Sequence, residues 1–190
     1  MSTIPPLRDG EARALLEVAR ETIAAQLAGR PLPDPDRVPA RLLVHQGAFV
    51  TLHRSGELRG CIGVVAPNEP LVRTVAHCAL SAAFSDPRFP PLDPSELDEV
   101  QIEISVLTPP IPVEEIDRIV PGRHGLMVQL GERRGLLLPQ VATEHGWDVR
   151  TFLGETCRKA GLPPDAWERG ALLETFEAEV FSEGSLRDPV

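Results

Sequence analysis

The sequence predicts an α+β fold: a mixed, mainly antiparallel sheet built from hairpins and packed against helices, in one unit or in two unequal lobes. Segments with the apolar period of helices alternate with segments that have the two-residue period of strands. Two pairs of predicted strands flank short turns, at residues 54–57 and 131–134. The chain has neither the strand-helix-strand periodicity of a doubly wound sheet nor a glycine-rich phosphate loop.

The first 40 residues predict a helix followed by a proline-rich connection. Apolar residues keep helical spacing from Leu15 to Leu27, Asp9 can cap the helix and Gly29 can end it. Residues 31–39 contain four prolines in nine positions, which excludes regular structure. We therefore expect a packing helix and an extended surface loop.

A first hairpin is predicted from Arg41 onward. Apolar residues through Leu52 fit a strand-rich region, and residues 54–57 form the turn into a second strand. That strand contains the motif Leu58-Arg59-Gly60-Cys61-Ile62-Gly63. In a regular strand Arg59, Cys61 and Gly63 share one face, about 6.6 Å apart at successive positions. We therefore expect the thiol beside a fixed cation.

The two glycines of the motif need a physical reason, because glycine weakens a strand. It usually marks a bulge or the close approach of a backbone or a ligand. Gly63 leaves an empty place on the predicted face of Cys61, and Gly60 precedes the thiol directly. The motif therefore predicts the wall of a ligand pocket.

The next segment predicts a helix, a rigid loop and a strand. Asn68 can cap the helix, and residues 84–91 place Asp86 and Arg88 among prolines that restrict the backbone. Asp93-Pro94-Ser95-Glu96 matches a capped helical turn, and strict alternation over residues 100–106 predicts a strand with one polar face. The buried stripe of the helix should contain Leu71, Val75, Cys78, Ala79 and Ala82.

The C-terminal half predicts a second hairpin over residues 125–138. A helical turn from Pro139 to Glu144 follows it. Asp148 can cap another helix, with Gly161 as its C-cap candidate. Alternation over residues 172–181 predicts one last strand that returns to the sheet.

Composition narrows the class of protein. The net charge of -9 opposes nonspecific binding to nucleic acid. No apolar run approaches the roughly 20 residues of a membrane-spanning helix, and the N-terminus lacks the pattern of a secretory signal. Cys61, Cys78 and Cys157 are an odd number of thiols, which fits reduced cysteines. We expect a cytoplasmic protein that binds neither membrane nor nucleic acid.

The candidate site has two interpretations. In the first, Cys61 is a nucleophile with His124 as its base, and Arg59 holds a small anionic substrate. In the second, Cys61 is a small packing residue and the motif is a binding pocket. Asp86 and Arg88 either join the pocket or pair with each other. The histidine and cysteine spacings match no common metal site, so we expect neither metal nor cofactor.

A family resemblance rests on several separated motifs. Residues 58–63 match the signature hexapeptide of the AMMECR-type domain family, and residues 86–91 match its second motif. His124-Gly125, Leu138-Pro139, Gly146-Trp147-Asp148 and Arg158-Lys159 follow in family order. The resemblance covers about residues 41–183 and is greatest to the compact prokaryotic members, those of the AmmeMemoRadiSam system.

This resemblance implies one AMMECR-type domain over residues 1–190, in which residues 1–40 are the helix and the connection. It also implies gene neighbourhoods shared with a Memo-like protein and a radical-SAM protein. It supplies no established reaction. A binding or accessory role is therefore the first hypothesis, and a Cys61-dependent hydrolase or transferase is the alternative.

Overall fold

The computed structural model describes residues 4–34 and 38–185. Their fold is α+β, as the sequence predicts, with helices and two four-stranded sheets. The chain divides into two compact units. The first comprises the chain up to Leu107 and again from Glu179, and the second comprises Thr108–Ala178.

The first unit is a four-stranded sheet with two long helices. The sheet order is β2-β1-β3-β8, and β1 pairs antiparallel with both of its neighbours. Short 3-10 turns occupy Ala40–Leu43 and Pro94–Glu96. The main elements are α1 (Asp9–Leu27), β1 (Ala48–Arg54), β2 (Glu57–Val64), α2 (Leu71–Phe84), β3 (Val100–Leu107) and β8 (Ala178–Ser182).

One apolar cluster holds this unit together. Leu15 and Ile23 of α1 are fully buried with Val75 of α2, Val50 of β1 and Ile104 of β3. Each such side chain contributes about 1.5–3 kcal/mol when it leaves water. The predicted buried stripe of α2 is confirmed, because all five of its residues belong to this cluster.

The starts of both helices differ from the prediction. Asp9 is the first helical residue rather than the cap, because the preceding residue takes the cap position and the Glu11 carboxylate accepts its backbone N–H at 2.9 Å. Helix α2 starts at Leu71 rather than after Asn68, and the Leu71 N–H donates to the Val44 carbonyl at 2.9 Å. Local propensity did not predict that tertiary bond.

The first hairpin has the predicted two-residue turn. Ser55 and Gly56 both have positive φ, 54° and 82°, which is the conformation that matches the twist of the two strands. The strand begins later than expected, because residues 40–43 form a 3-10 turn and β1 starts at Ala48. Residues 31–34 have no regular structure, as predicted, whereas residues 35–37 of the proline-rich segment lie outside the described part of the chain.

The second unit is a smaller sheet with two helices. Its strand order is β4-β7-β5-β6, and the predicted hairpin is confirmed as β5 and β6. Phe152 and Leu153 of the second helix pack with Leu126 in its core. Asp148 caps that helix by accepting the Thr151 N–H at 2.8 Å, as predicted. The elements are β4 (Ile111–Pro112), β5 (Gly125–Leu130), β6 (Arg133–Leu137), α3 (Pro139–Glu144), α4 (Val149–Lys159) and β7 (Leu172–Phe176).

The predicted last strand is wrong in one respect: it is two strands in different sheets. Strand β7 belongs to the sheet of the second unit and β8 to that of the first. Glu177 lies between them in the chain and makes two hydrogen bonds with Thr108. Its N–H donates to Thr108 Oγ1 at 2.8 Å, and its carbonyl accepts the Thr108 N–H at 2.9 Å. The alternation of apolar residues continues across this break, so the sequence pattern does not reveal it.

Strand β8 returns the chain to the first unit. Glu183, just after it, accepts the Ile102 N–H at 2.9 Å and the Arg20 Nε–H at 2.9 Å. The residue that follows β8 is thereby connected to both β3 and α1. None of the described helices has the length and apolarity that a membrane span requires.

Helix α2 approaches β2 closely at Gly60. A Cβ atom at this position would lie 2.2 Å from the carbonyl oxygen of Ala82, which is a backbone atom that cannot move aside cheaply. Gly60 therefore has the close-approach role that the sequence predicts for a strand glycine.

We expect Gly60→Ala to lower the free energy of unfolding by about 2–3 kcal/mol, because the added methyl group overpacks the contact with α2. The measurement is urea unfolding at pH 7. Gly10→Ala is the matched control, since its Cβ meets nothing within 4 Å and lies in the first turn of α1. A Gly60→Ala protein within about 0.5 kcal/mol of wild type would contradict the close approach.

Candidate functional site

The β1–β2 hairpin contains a bulge at the motif. Leu52 lies opposite Gly60, but His53 lies opposite Leu58, so Arg59 is an additional residue on β2. The expectation of a regular strand, with Arg59 and Cys61 at successive positions on one face, is therefore wrong. A bulge leaves one residue unpaired and redirects its side chain.

Arg59 binds Glu96 instead of lying beside the thiol as its cation. Its Nε and Nη2 donate to the two carboxylate oxygens at 2.9 and 2.8 Å, and both residues are buried. Glu96 also accepts from Arg54 Nη1 at 2.8 Å and from the Asp93 N–H at 2.9 Å. The bulge is thereby attached to the predicted capped turn at Pro94–Glu96.

These contacts shift the pKa values of both Glu96 and Arg59. The Arg59 hydrogen bonds, followed by the Asp93 N–H, lower the pKa of Glu96 to about 2. The same carboxylate raises the pKa of Arg59. The remaining nitrogen of Arg59, Nη1, is buried without a hydrogen-bond partner among the described residues, and the Phe89 ring centre lies 6.0 Å from Arg59 Cζ. Arg59 is thus a neutralised structural cation.

Asp86 and Arg88 hold the backbone of Cys61. Strand β2 is at the edge of its sheet, and the Cys61 N–H donates to Asp86 Oδ2 at 2.9 Å. Arg88 Nη2 donates to the Cys61 carbonyl at 3.1 Å. The two side chains provide the hydrogen bonds that a neighbouring strand would supply, and so cover part of an exposed edge.

Asp86 and Arg88 also pair with each other. Arg88 Nε and Nη2 donate to Asp86 Oδ1 and Oδ2 at 2.9 and 2.7 Å. The bond to Arg88 is the largest of the causes that hold the pKa of Asp86 well below its usual range, and it raises the pKa of Arg88. Asp86 is buried, whereas the Arg88 side chain is 52% exposed. Of the two arginines predicted to bind a ligand, Arg88 is the accessible one.

The side chain of Cys61 is partly exposed, and Thr51 and the Arg88 guanidinium both interact with it. Thr51 lies opposite it on β1, and its hydroxyl Oγ1 donates to Cys61 Sγ at 3.3 Å. Cys78 and Cys157 are buried, and burial raises the pKa of both thiols, that of Cys78 to about 12. Cys61 is therefore the thiol that a solute can reach.

The space predicted beside Gly63 is filled by an aromatic ring. Gly63 lies opposite Phe49 on β1, and a Cβ on this glycine would lie 2.2 Å from the Phe49 ring. The expectation of an empty place for a ligand there is wrong, because the cross-strand neighbour occupies it. The Gly63 backbone still lies on the open edge of the sheet.

His124 belongs to the second unit, whereas Cys61 belongs to the first. His124 Nδ1 accepts the Val120 N–H at 3.1 Å, and its Nε2 lies 3.8 Å from Glu177 Oε1. Because Nδ1 accepts this N–H, Nε2 carries the proton of the neutral imidazole. A role for His124 as the base of Cys61 stays a prediction.

Sequence reasoning missed Thr51 and assigned no role to Glu96 in the site. Counting back from the two-residue turn places Thr51 opposite Gly60, and only the bulge moves it opposite Cys61. The capping motif did predict Glu96 as part of a helical turn, but gave no sign of the Arg59 bond.

Among the described residues no group of three or more histidine, cysteine or acidic side chains could hold a metal ion. Two surface depressions share Glu69 and Arg73, and neither is lined by a residue of the motif or of the Asp86–Arg88 pair.

We expect Glu96→Gln to lower the free energy of unfolding at pH 7 by about 3 kcal/mol, because it leaves the buried Arg59 without its counter-ion. Since the pKa of Glu96 is lower in the folded protein, its contribution is complete above about pH 4.5 and is lost as the pH falls toward about 2. Urea unfolding from pH 7 to pH 2.5 should therefore show the difference from wild type shrinking over this window.

Glu99→Gln is the control, because Glu99 pairs with Arg54 at a half-exposed position and should contribute less than about 1 kcal/mol. A difference between wild type and Glu96→Gln that stays constant down to pH 2.5 would argue against an ionised Glu96 as the stabilising group.

Comparison with known proteins agrees with this architecture. The AMMECR1 family model matches residues 16–181, so the match begins within α1 rather than at about residue 41. A protein of Methanothermobacter thermautotrophicus is 47% identical over 186 residues, covering 94% of this chain and 97% of that protein. Protein MK0488 of Methanopyrus kandleri is 46% identical over 194 residues, covering 97% and 93%.

The fold is also similar to a solved structure. The crystal structure of the uncharacterised protein PH0010 from Pyrococcus horikoshii superposes with a TM-score of 0.87 and 41% sequence identity, covering 96% of each chain. Family match, sequence identity and fold all extend over most of the chain. This chain therefore belongs to the AMMECR1 family.

Proposed function

We propose that this protein is a binding or accessory component of a pathway that contains a Memo-like protein and a radical-SAM protein, and that it binds through the surface around residues 58–63. The observation that carries the proposal is the internal pairing of the motif's charges: Arg59 with Glu96, and Asp86 with Arg88. Paired charges with pKa values far from neutrality make poor acid–base catalysts but a stable surface. The three free thiols fit a cytoplasmic pathway.

The chemistry of this surface suits a protein partner. Leu58 is 41% exposed, Pro87, Pro90 and Pro91 are exposed, and the Arg88 guanidinium is accessible. Prolines and a loop fixed by hydrogen bonds lose little conformational entropy on binding. The exposed leucine provides an apolar contact, and the accessible arginine provides a cation for an anionic group of the partner or of a small ligand.

We expect the purified protein to bind a Memo-like or a radical-SAM protein of the same organism, and Leu58→Arg to weaken that binding at least about tenfold by placing a charge in the apolar contact. Isothermal titration calorimetry measures the affinity. Leu172→Arg is the matched control, because Leu172 is 68% exposed in the second unit. No binding by wild type, or equal losses in both variants, would contradict the proposal.

A second candidate function is a Cys61-dependent hydrolase or transferase that acts on a small anionic substrate. The contacts of Cys61 favour it: Thr51 donates a hydrogen bond to the sulfur, and the exposed Arg88 is bonded to the same residue's carbonyl. Only the thiolate form of cysteine is a strong nucleophile, and a thiolate would accept the Thr51 hydroxyl proton and lie near the Arg88 cation. Arg88 is the proposed substrate cation, and the Cys61 sulfur the proposed nucleophile.

For this second function we expect Cys61 to reach its half-maximal rate of alkylation by iodoacetamide below the pH of about 8.5 that is typical of a free cysteine. Peptide mass spectrometry gives the rate at each thiol between pH 5.5 and 9.5. Cys78 and Cys157 will react slowly because they are buried, so the reference for Cys61 is the same chain unfolded in urea. A folded-state midpoint equal to that of the unfolded chain would remove the support for a nucleophilic thiol.

A further inference from the structure

We infer that Thr51 is a positioning residue for Cys61: its hydroxyl holds the sulfur in place and favours the thiolate over the thiol. This inference rests on the second candidate function, in which Cys61 is the nucleophile. It assigns a role to a residue outside residues 58–63 and outside the Asp86–Arg88 loop.

The bulge creates the contact. In a regular ladder Arg59 would pair with Leu52, and Thr51 would lie opposite Gly60, which has no side chain to meet it. With the bulge, Thr51 lies opposite Cys61, and the backbone groups of Cys61 bond to Asp86 and Arg88 rather than across to β1. Facing residues that do not exchange backbone bonds have the closest side chains in an antiparallel pair. Oγ1 and Sγ are 3.3 Å apart.

The chemistry of the two groups gives the bond a direction. A threonine hydroxyl carries one proton to donate, and here the sulfur receives it. A thiolate is a far stronger acceptor than a neutral thiol, so the bond stabilises the charged form preferentially. Thr51 is buried, and its β-branched side chain has few rotamers within a strand, so the hydroxyl stays directed at the sulfur.

Other charged side chains belong to the residues that pair across β2, β1 and β3 at Cys61 and Thr51, or lie next to them. Glu103 of β3 lies opposite Thr51, and His53 of β1 places its Nε2 3.9 Å from Glu103 Oε1. Glu103 is two strands from Cys61, about 10 Å, so its repulsion of a thiolate is screened and is reduced when His53 is protonated. Arg88 favours the thiolate, although Asp86 neutralises part of its charge. Thr51 donates to the sulfur from the neighbouring strand, and the Arg88 guanidinium also interacts with the Cys61 side chain.

The test compares Thr51→Val with Thr51→Ser by the alkylation of Cys61 with iodoacetamide between pH 5.5 and 9.5. Thr51→Val keeps the shape and removes the donor, so it should raise the half-maximal pH by about one unit and slow the reaction about tenfold at pH 6.5. Thr51→Ser restores the donor and should return the rate to within about twofold of wild type. Ser105→Ala is the control, because Ser105 is another buried hydroxyl of this sheet, placed opposite Phe49.

Protection of Cys78 from alkylation, together with the melting temperature, shows that each variant is folded. A Thr51→Val protein with the wild-type pH profile would overturn the inference. So would a Thr51→Ser protein as slow as Thr51→Val, because the methyl group rather than the hydroxyl would then be responsible. If the half-maximal pH of wild-type Cys61 equals that of the unfolded chain, Cys61 is not an activated nucleophile. A higher half-maximal pH in Thr51→Val than in wild type would still show that the Thr51 hydroxyl stabilises the thiolate.

Discussion

The hydrogen bond from the Cys61 N–H to the Asp86 carboxylate is the interaction on which the arrangement of the site depends. A strand at the edge of a sheet leaves backbone donors and acceptors without partners, and β2 is such a strand. The Asp86 carboxylate accepts the Cys61 N–H, and the Arg88 guanidinium donates to the Cys61 carbonyl. The two side chains also form an ion pair with each other. This ion pair therefore satisfies the backbone hydrogen bonds of Cys61 and attaches the loop that contains Asp86 and Arg88 to the strand.

The packing of α2 brings this ion pair to the strand. Gly60 allows the backbone of α2 to approach β2 at Ala82, and the helix ends at Phe84, directly before the loop that carries Asp86. On the other side of the motif, Arg59 leaves the ladder and binds Glu96. Two segments, one after α2 and one before β3, thus bind the hexapeptide at Cys61 and at Arg59.

Much of this architecture was predictable, and the exceptions have physical causes. The hairpin turn at Ser55, the capped turn at Glu96 and the capping by Asp148 follow from local chemistry and were found. The bulge at Arg59 was not predicted, because it depends on the buried carboxylate of Glu96, 37 positions away in the chain. The division of the last strand at Glu177 depends likewise on Thr108. The period of apolar residues indicates which face of a strand is buried, but it does not indicate to which sheet the strand belongs.

The interrupted course of the chain has a consequence for its biosynthesis. The sheet that carries Cys61 is completed by β8, and Glu183 joins it to α1 and β3, yet these residues leave the ribosome after the whole of Thr108–Ala178. The second unit is a continuous stretch that can fold during translation, whereas the first must wait for its last strand. The edge of β3 that β8 covers therefore has no partner until β8 has been synthesised, and pairing these two strands closes a long loop at a cost in chain entropy.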